Sequence, residues 1–362
     1  MFSSVLMNEL EKLRSRIDKI DNDILNLLNK RADIVLDVAH IKRNENAKYH
    51  SPEREREILD RLTSSNKGPF PSEALKVIYR EILSASLSLE EPLKVAYFGP
   101  SATFTHSAAL RHFGSSASFV PSDSIKGVFD AVESNKAEYG VVPIENSTEG
   151  VVNYTLDLFV DYELKVAAEV MLEISQNLMS KSGDKTKIKK IYSNPHAGAQ
   201  CRQWLESNLP NVPVIDITST ARAAEMASQE DNAAAIAGEL AAKFYNLQFV
   251  EKGIEDRKHN FTRFLVISKT PAKKTGRDKT SIMFSIKDKP GALYDILYPF
   301  KKAKINLTKI ESRPSKRKAW EYIFFVDMEG HSEDRKLKNA IEAVKDNCLY
   351  LKILGSYPLA DA

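Results

Sequence analysis

Two cations lie on the apolar face of the first predicted helix, where an unpaired charge is costly. Arg31 and Lys42 are eleven residues apart, about three turns along the stripe where apolar residues recur. Buried cations need an anion or a carboxylate partner. With Arg54 and Glu55 at the start of the next predicted helix, they would form a pocket for a small dianion that carries a hydroxyl group. Alternatively, the two cations extend to the edge of a helical bundle or pair with acidic residues of the second helix.

Four polar segments in the middle of the chain each lie where a strand is expected to meet a helix or another strand. Ligands of open α/β sheets bind at the carboxyl ends of strands, and helix N-termini there offer amides to an anion. Each segment alone is more typical of a cap or turn, but their shared position predicts a binding cleft. His106 and His196 lack a suitably spaced Ser and Asp, so we expect ordinary polar residues and no metal cluster. The segments are Gly99–His106, Pro143–Ser147 with Gly150, Ser193–Cys201 and Asn260–Phe264.

The N-terminal cations lie on elements that the apolar pattern predicts to be helical. The first 51 residues contain no Gly and no Pro, and their apolar positions recur every three or four residues. A helix over residues 7–43 would be about 55 Å long, so we expect it to pack along a partner chain. Arg14 lies about 100° around this helix from the apolar face, so only a symmetric partner could bring it to the pocket. Two further helices are predicted at Pro52–Leu62 and Ser72–Leu89.

Strands and helices alternate after Pro92, which predicts an α/β domain. Its length of about 175 residues suits two lobes with a cleft between them. The predicted strands are Leu93–Phe98, Tyr139–Pro143, Lys165–Leu172, Ile188–Tyr192, Pro213–Ile217, Ala233–Ala237 and Arg263–Ser268.

A polar segment at Thr270–Lys279 is typical of a linker. The elements after it follow the order β-α-β-β-α-β, which predicts a ferredoxin-like α+β domain. Its strands are predicted at Thr280–Ile286, Ile305–Arg313, Trp320–Glu329 and near Tyr350–Gly355, and its helices at Gly291–Lys302 and Glu333–Asn347.

Composition and charge exclude several classes of protein. The 362 residues are 43% hydrophobic and 28% charged, as in globular rather than disordered proteins. No run approaches the roughly 18 apolar residues of a membrane span, and the charged N-terminal segment argues against a secretory signal. Cys201 and Cys348 have neither metal-ligand nor disulfide spacing, so we expect a cytoplasmic protein. Residues 269–362 hold 20 of the 52 Lys and Arg but only 12 of the 49 Asp and Glu; this indicates a separate module, which has no recognisable nucleic-acid-binding motif.

The helical segment, over about residues 8–90, resembles the all-helical chorismate mutases, which are intertwined dimers. The resemblance rests on Leu-Arg at 13–14, Lys-Arg at 30–31, Ile-Lys at 41–42 and Pro-Glu-Arg-Glu at 52–55. It implies that Arg14 comes from the partner chain, and that Arg31 and Lys42 hold the substrate carboxylates and the breaking ether oxygen. Arg54 would lie near the same carboxylates, and Glu55 would accept a hydrogen bond from the ring hydroxyl. A pericyclic rearrangement needs no nucleophile; it gains from a near-attack geometry and from cations aimed at developing charge.

The same resemblance gives three more residues to the mutase pocket. Ser51 stands where some members have Asp. Ser86 and Glu90 align with a Ser and a Gln at the far end of the pocket, although the alternation of Ser84, Ser86 and Ser88 leaves the register open. If Glu90 faces the ether oxygen, it must be protonated to donate a hydrogen bond. Mutase activity would then fall as this proton is lost at rising pH.

The segment from about Lys94 to Ser268 resembles prephenate dehydratase, whose two-lobed fold is similar to that of periplasmic binding proteins. It carries Gly-Pro-x-x-Thr-Phe at 99–104, Pro-Ile-Glu-Asn-Ser at 143–147 and Asn-x-Thr-Arg-Phe at 260–264. The resemblance implies that Thr262 is essential and donates a hydrogen bond to the hydroxyl that prephenate loses with CO2. On spacing alone, Thr262 is a β-branched residue that begins a strand. By the resemblance, Arg263 holds a carboxylate or orients the threonine, and the substrate is positioned by Thr103, Asn146 and Ser147.

The C-terminal segment resembles the ACT domain of phenylalanine-regulated dehydratases, in which paired modules bind the amino acid at their interface. The resemblance rests on Lys-Pro-Gly-Ala-Leu at 289–293 and Asn-Leu-Thr-Lys-Ile-Glu-Ser-Arg-Pro at 306–314; the first alone is also typical of a plain β-α turn. Glycine at a helix N-terminus lets a carboxylate approach backbone amides closely. By the resemblance, phenylalanine contacts Gly291, Ala292, Leu293 and Asn306, and the response is carried by Glu311, Ser312, Arg313 and Pro314.

Together the resemblances imply a mutase domain at 1–92, a dehydratase domain at 93–269 and an ACT domain at 280–362. The protein would convert chorismate to prephenate and prephenate to phenylpyruvate under inhibition by L-phenylalanine. It would need no cofactor or metal, form a homo-oligomer (a dimer or a tetramer of dimers), and bind neither nucleic acid nor membrane. Two alternatives stay open. One is a catalytically dead phenylalanine-sensing protein, and the other is a mutase fused to a dehydratase that prefers arogenate.

Overall fold

The computed structural model of the protein describes residues 2–44, 50–287, 289–314 and 322–360. Within these ranges the chain forms two compact units. The first runs to Leu93 and includes Phe113–Ala117, and the second comprises Lys94–His112 and the residues from Ser118 onward. Among the described residues, none of the helices combines the length and apolar character needed to cross a membrane.

Three helices form the first unit, as the sequence predicts. The first has 43 residues and is therefore about 65 Å long. The third packs against both others. The helices are α1 (Phe2–Asn44), α2 (Pro52–Ser65) and α3 (Ser72–Glu90).

Only part of the apolar face of α1 is covered within the chain. Arg31, Val35, Ala39 and Lys42 are at least half-buried, and their spacing places them on one helical face. In contrast, six apolar residues between Leu10 and Leu27 are 47% to 64% exposed. A stripe of this kind normally packs against another surface. The six are Leu10, Leu13, Ile17, Ile20, Ile24 and Leu27.

The second unit alternates strands and helices and then ends in an α+β segment. Its strands are β1 (Lys94–Phe98), β2 (Ser118–Ser122), β3 (Tyr139–Asn146), β4 (Gly150–Val151), β5 (Lys165–Glu173), β6 (Asn177–Ser180), β7 (Lys190–Ser193), β8 (Val214–Asp216), β9 (Ala233–Ala237), β10 (Gln248–Glu251), β11 (Phe261–Ser268), β12 (Asp278–Ile286), β13 (Leu307–Pro314), β14 (Tyr322–Glu329) and β15 (Cys348–Pro358). Its helices are α4 (Phe104–Phe113), α5 (Ile125–Glu133), α6 (Asn153–Asp161), α7 (Pro195–Gln200), α8 (Arg202–Asn208), α9 (Thr220–Ser228), α10 (Glu239–Phe244), α11 (Ala292–Lys302) and α12 (Arg335–Lys345).

Two sheets make the two lobes that the sequence predicts for the α/β segment. The first has the order β2-β1-β3-β11-β5, with β4 on β3, and the second has the order β10-β6-β9-β7-β8. The chain leaves the first sheet after β5 and returns to it only at β11. Strand β11 therefore lies between β3 and β5, antiparallel to both. The return places the Asn260–Phe264 motif beside the end of β3.

The last sheet has the order β13-β14-β12-β15 and is antiparallel throughout, which confirms the ferredoxin-like prediction. Alternate residues of a strand face opposite sides of its sheet. One face packs on α11 and α12 through a core that includes Phe284, Phe300 and Val326. On the other face, Met283 and Phe325 share a core with residues of the first lobe.

The fold class predicted from the sequence is confirmed, with differences in the shorter strands. Strands β2, β4, β6 and β10 are absent from the prediction, and β12 begins at Asp278, inside the predicted linker. Strand β14 is described from Tyr322, so the predicted strand start at Trp320 lies outside the described residues.

His106 gives the second unit an expected pH dependence of stability. Its ring is buried and stacked on Tyr97, with centroids 4.5 Å apart, and its Nδ1 accepts the Ala102 N–H at 3.0 Å. Burial lowers the pKa of His106 below the ordinary value of 6.5. As pH falls, the His106 ring is protonated in the unfolded chain before it is protonated in the folded one. The contribution of the neutral His106 to folding stability is therefore complete above pH 6.5 and is lost as pH falls below it.

We expect the free energy of unfolding to fall between pH 7 and pH 5, and to fall less in His106→Gln than in the wild type. Denaturant titrations at both pH values measure this difference. His196→Gln is the matched control, because the His196 side chain is mostly exposed. An unchanged slope in His106→Gln would refute this assignment.

Candidate active sites and sensor site

Four of the predicted mutase residues meet between α1 and α3. Arg31 Nη1 donates to Ser86 Oγ, and Lys42 Nζ lies 3.0 Å from Glu90 Oε2. Ser86 and Glu90 are four residues apart on α3, so both face α1. The arrangement forms a half-buried strip with two cations, a hydroxyl and a carboxylate. In this structure the Lys42–Glu90 contact is an ion pair.

The contacts recorded for the other predicted mutase residues, within the described part of the chain, are made elsewhere. Arg14 is exposed and lies seventeen residues before Arg31 on α1, about 25 Å along the helix axis. Arg54 is 66% exposed and pairs with Glu57. At the start of α2, Ser51 Oγ donates to Glu53 Oε2 at 2.8 Å, and Glu55 Oε1 lies 3.4 Å from His50 Nε2.

In the predicted dehydratase cleft, Thr262 pairs with Asn146 across β11 and β3. Asn146 Nδ2 donates to Thr262 Oγ1 at 2.8 Å. The orientation of the Asn146 amide follows from its other contacts, because Oδ1 accepts the backbone N–H groups of Thr148 and Glu149, each at 2.9 Å. A backbone N–H can only donate, so Nδ2 must face the threonine.

This geometry leaves the Thr262 proton available. A hydroxyl has one proton and two lone pairs, and the Asn146 amide uses a lone pair. Among the described residues, no acceptor for the Thr262 hydroxyl proton is found. A hydroxyl that accepts one hydrogen bond is polarised to donate another, so the half-buried Thr262 can donate into the cleft.

Asn260 is a residue of this site that sequence reasoning missed. It is almost fully buried, and its Oδ1 accepts from Asn146 Nδ2 at 2.8 Å and from Ser147 Oγ at 3.3 Å. Ser147 Oγ in turn accepts the Phe261 N–H at 2.9 Å. Asn260 thus fixes two predicted site residues. Its place at the head of the Asn-x-Thr-Arg-Phe motif was the available signal.

Thr103 lies at the N-terminus of α4 and has a capping geometry. Its Oγ1 accepts the His106 N–H at 3.3 Å and donates to the Pro100 carbonyl at 3.1 Å. The structure therefore gives Thr103 a local role in forming the helix start. The amides at the start of α4 are the groups by which this loop could attract an anion.

Segments from both lobes meet near the end of β3. Glu149 Oε1 accepts from Gln200 Nε2 at 3.4 Å, and Glu149 Oε2 lies 3.5 Å from His196 Nδ1. Two of the polar segments singled out from the sequence are therefore neighbours. Within the described ranges, no group of three or more His, Cys, Asp or Glu side chains is arranged to bind a metal ion.

Arg263 points away from Thr262, because successive residues of a strand face opposite sides. The guanidinium is buried and donates to Glu169 Oε2 at 2.7 Å, to Asp327 Oδ2 at 2.6 Å and to Tyr357 Oη at 2.9 Å. Burial alone would lower the pKa of Arg263. The neighbouring Tyr357, Asp327 and Glu169 reverse this and raise the pKa above its ordinary value.

These contacts bear on the two roles that the sequence left open for Arg263. A guanidinium bound to two carboxylates and a tyrosine on the rear of the sheet is not available to a ligand in the cleft. Of the two roles, the geometry favours positioning of the strand that carries Thr262. The partners are 94, 64 and 94 residues away in sequence, so no local pattern could reveal them.

Three of the predicted sensor residues line a cavity of about 270 Å3 beside α11. Gly291 precedes the helix with a φ of 78°, a conformation that favours glycine. The lining includes Gly291, Ala292 and Leu293, with Tyr322 and Phe324 opposite.

The remaining predicted sensor residues do not line this cavity within one chain. Asn306 Nδ2 donates to Glu329 Oε1 at 2.9 Å. On β13, Glu311 and Arg313 are half-buried, and Arg313 Nε lies 2.9 Å from Asp157 Oδ1. Strand β13 is an edge of its sheet, and Ser312 and Pro314 are exposed along it.

Comparisons with known proteins agree with these three segments. Family models match residues 13–91 (chorismate mutase type II), 95–272 (prephenate dehydratase) and 280–346 (ACT domain). A bifunctional chorismate mutase/prephenate dehydratase of Aquifex aeolicus is 53% identical over 358 residues, 98% of this chain and 99% of the relative.

Two solved structures resemble about three quarters of this chain. The prephenate dehydratase of Arthrobacter aurescens in complex with L-Phe has a TM-score of 0.69 at 33% identity, over 74% of this chain and 91% of that one. A protein described as a novel type of quorum-quenching acylase has a TM-score of 0.68 at 26% identity, over 74% and 98% of the two chains. The shared fold is thus compatible with different chemistry, and the family must be assigned from more than the fold.

The assignment rests on the match over nearly the full length of both chains, in the domain order that the motifs indicate. It confirms the resemblance inferred from the sequence. The chain belongs to the family of bifunctional chorismate mutase/prephenate dehydratases and carries both enzyme domains followed by an ACT regulatory domain.

Proposed function

We propose that this protein rearranges chorismate to prephenate, converts prephenate to phenylpyruvate, and is inhibited at the second step by L-phenylalanine. The observation that carries the proposal is the Asn146–Thr262 pair, in which the amide occupies a lone pair of the hydroxyl and leaves the hydroxyl proton for a substrate. The division into domains at 1–92, 93–269 and 280–362 and a cytoplasmic location belong to the same proposal.

The mutase reaction would take place on the strip between α1 and α3. Arg31 and Lys42 would bind the substrate carboxylates and the ether oxygen, which gains negative charge as its bond to carbon breaks. Fixed cations stabilise this charge without reorganisation, and holding the ring and side chain together lowers the entropic part of the barrier. Lys42 would exchange its contact with Glu90 for the substrate.

A homodimer would complete this site. The exposed apolar face on the N-terminal half of α1 supports a partner helix along its length, and Arg14 lies on that half of the helix. In an antiparallel pairing, Arg14 of one chain would approach Arg31 of the other. Glu55 would accept a hydrogen bond from the ring hydroxyl of the substrate, and Arg54 and Ser51 would lie at the same end of the pocket.

Glu90→Gln tests whether Glu90 donates to the ether oxygen. Glutamine keeps a hydrogen-bond donor at this position without a negative charge, so mutase kcat/KM should be at least as high as in the wild type. Initial rates of chorismate loss in both proteins test the prediction, and a loss of activity in Glu90→Gln would show that Glu90 plays no such part.

In the dehydratase cleft, Thr262 would donate its hydrogen bond to the ring hydroxyl of prephenate. The ring C–O bond and the bond to the carboxylate both break, the hydroxyl leaves as water, CO2 departs, and the ring becomes aromatic. The proton passes from the Thr262 hydroxyl to the leaving oxygen, and a water molecule returns a proton to Thr262. Asn146, Ser147 and Thr103 would position the substrate.

Inhibition by L-phenylalanine would begin at the cavity beside α11. Backbone amides in the first turn of α11 suit an amino acid carboxylate, and the aromatic lining suits a phenyl ring. The relative from Arthrobacter aurescens was solved in complex with L-Phe. Asn306 would contact phenylalanine from the paired ACT domain. Residues Glu311–Pro314 would transmit the effect of binding to the dehydratase site.

Turnover of purified protein distinguishes this proposal from its alternatives. We expect phenylpyruvate to form from prephenate and its formation to be inhibited by L-phenylalanine. A protein that binds phenylalanine without turnover would be the catalytically dead sensor. Competition between prephenate and arogenate would identify an arogenate-preferring dehydratase by faster consumption of arogenate.

A further inference from the structure

Four charged residues form a square between the first lobe and the C-terminal sheet, with ion pairs on three sides and a cross-strand backbone pairing on the fourth. Arg263 and Glu145 are cross-strand partners on β11 and β3, with Arg263 Nη1 4.0 Å from Glu145 Oε2. Lys309 and Asp327 are cross-strand partners on β13 and β14. Between the sheets, Lys309 Nζ lies 2.6 Å from Glu145 Oε2, and Arg263 Nη1 lies 2.6 Å from Asp327 Oδ2. We call these four residues the ion-pair square.

The ion-pair square adjoins the dehydratase site through the backbone. Glu145 precedes Asn146 on β3, and Arg263 follows Thr262 on β11. Successive residues of a strand face opposite sides of the sheet. Asn146 and Thr262 therefore face one side, and Glu145 and Arg263 face the other. Each residue of the hydrogen-bonded pair Asn146–Thr262 is thus next in sequence to a residue that forms an ion pair with the C-terminal sheet.

The ion-pair square also adjoins the predicted sensor residues. Lys309 and Arg313 are four residues apart on the same face of β13, and both contact the first lobe, Arg313 through Asp157. Glu311 lies between them, and the strand also carries the other predicted response residues. A displacement of β13 on ligand binding would change the position of Lys309 directly and that of Asp327 through the β13–β14 pairing.

Packing of the C-terminal sheet against the first lobe does not by itself require charged residues. Met283, Phe325 and Leu354 of the C-terminal sheet already share an apolar core with Val166 and Leu265. Buried ion pairs are often no more stabilising than apolar residues of similar volume, whereas removal of one partner is costly. What they add is a fixed geometry, since both pairs require close approach of defined atoms.

The surroundings make this geometry strict. Glu169 is 2% exposed and holds both Arg263 and Lys279, so positive and negative charges are balanced around the Arg263 guanidinium. A cavity of about 20 Å3 beside Arg263 and Asp327 has room for about one water molecule. With little solvent to screen it, the Arg263–Asp327 pair is sensitive to small displacements, whereas the Lys309–Glu145 pair is more exposed, with 36% of the Glu145 side chain accessible.

We propose that the ion-pair square is the link by which the ACT domain controls the dehydratase site, with Arg263 and Glu145 as positioning residues for Thr262 and Asn146. This proposal rests on the proposed inhibition by L-phenylalanine and names its route. Occupancy of the sensor shifts β13, the shift is passed to β3 and β11 through the two ion pairs, and the Asn146–Thr262 pair loses its productive position. Such coupling is a free energy shared between the two sites.

The test removes charge on the ACT side only, in the full-length protein. Lys309→Gln and Asp327→Asn keep similar shapes and leave every predicted substrate contact intact. We expect the Kd of phenylalanine, measured by calorimetry, to stay within threefold of the wild type, and we read inhibition in each variant relative to its own kcat/KM for prephenate without phenylalanine. The concentration of phenylalanine needed for half inhibition should rise at least tenfold, or maximal inhibition should be lost.

Two further variants separate this route from general weakening of the interface. Lys352→Gln is the matched control, because Lys352 is a buried ACT-domain lysine that binds the Phe159 and Tyr162 carbonyls and Glu163 rather than β3 or β11. It should leave the inhibition curve unchanged. Asp327→Glu keeps the charge and should restore most of the inhibition lost in Asp327→Asn.

Three outcomes would overturn the proposal. If Lys309→Gln and Asp327→Asn are inhibited like the wild type, the route is wrong while regulation by phenylalanine stands. If Lys352→Gln loses inhibition equally, the interface as a whole carries the signal and the ion-pair square is not its link. If the wild type neither binds phenylalanine nor is inhibited by it, the proposed regulation fails together with the route.

Discussion

Replacing Thr262 with alanine should lower the rate of phenylpyruvate formation from prephenate by about 10²- to 10⁴-fold, the usual contribution of a positioned proton donor. The Asn146 amide occupies a lone pair of the Thr262 hydroxyl and leaves its proton for the cleft. Alanine removes this proton and leaves Asn146 Nδ2 with Asn260 as its partner. Because binding groups stay in place, the loss should appear mainly in kcat, measured with saturating prephenate.

Thr262→Ser is the matched variant for this prediction. It keeps the hydroxyl and should retain most of the dehydratase activity, whereas mutase activity should be the same in both variants and the wild type. Full dehydratase activity in Thr262→Ala would mean that another group protonates the leaving oxygen.

Replacing Arg31 with alanine should lower mutase kcat/KM by about 10²- to 10³-fold, the usual cost of one charge-stabilising donor. Arg31 is half-buried on the face of α1 that meets α3, and Ser86 orients its guanidinium. Loss of the cation removes both substrate binding and stabilisation of the developing charge. The rate of chorismate loss measures this effect.

Arg61→Ala is the control for charge and helix content, because Arg61 is an exposed arginine of α2. It should leave both activities near their wild-type values. Dehydratase activity on added prephenate should be unchanged in Arg31→Ala. A mutase that tolerates Arg31→Ala would place its cationic site elsewhere.

The long elements of the fold could be predicted from the sequence because their signals are local. The apolar repeat of α1 and the apolar runs of β3, β5 and β9 can each be recognised within one short stretch of sequence. Strand β2 did not, because it is a short edge strand that contains Pro121, which an edge tolerates. Strands β6 and β10 are only four residues long, too short for a periodic signal to stand out.

The candidate sites were predictable to the extent that their motifs are contiguous. The Asn-x-Thr-Arg-Phe motif pointed to Thr262, but the two sides of a strand separate Thr262 from Arg263, and only the fold reveals what faces each side. The ion pairs of Arg263 with Glu169 and Asp327 join residues that are distant in sequence. For α1 the apolar stripe identified Arg31 and Lys42, while their partners on α3 depended on the register of Ser86 and Glu90.

The most direct test of the account supplies chorismate alone to the purified wild-type protein. Loss of chorismate absorbance and formation of phenylpyruvate, read at alkaline pH, should both occur without any added enzyme. Thr262→Ala should stop at prephenate, and Arg31→Ala should leave chorismate but still consume added prephenate. If the wild type consumes neither substrate, or if one substitution abolishes both reactions in a folded protein, the account of two separate active sites on this chain is contradicted.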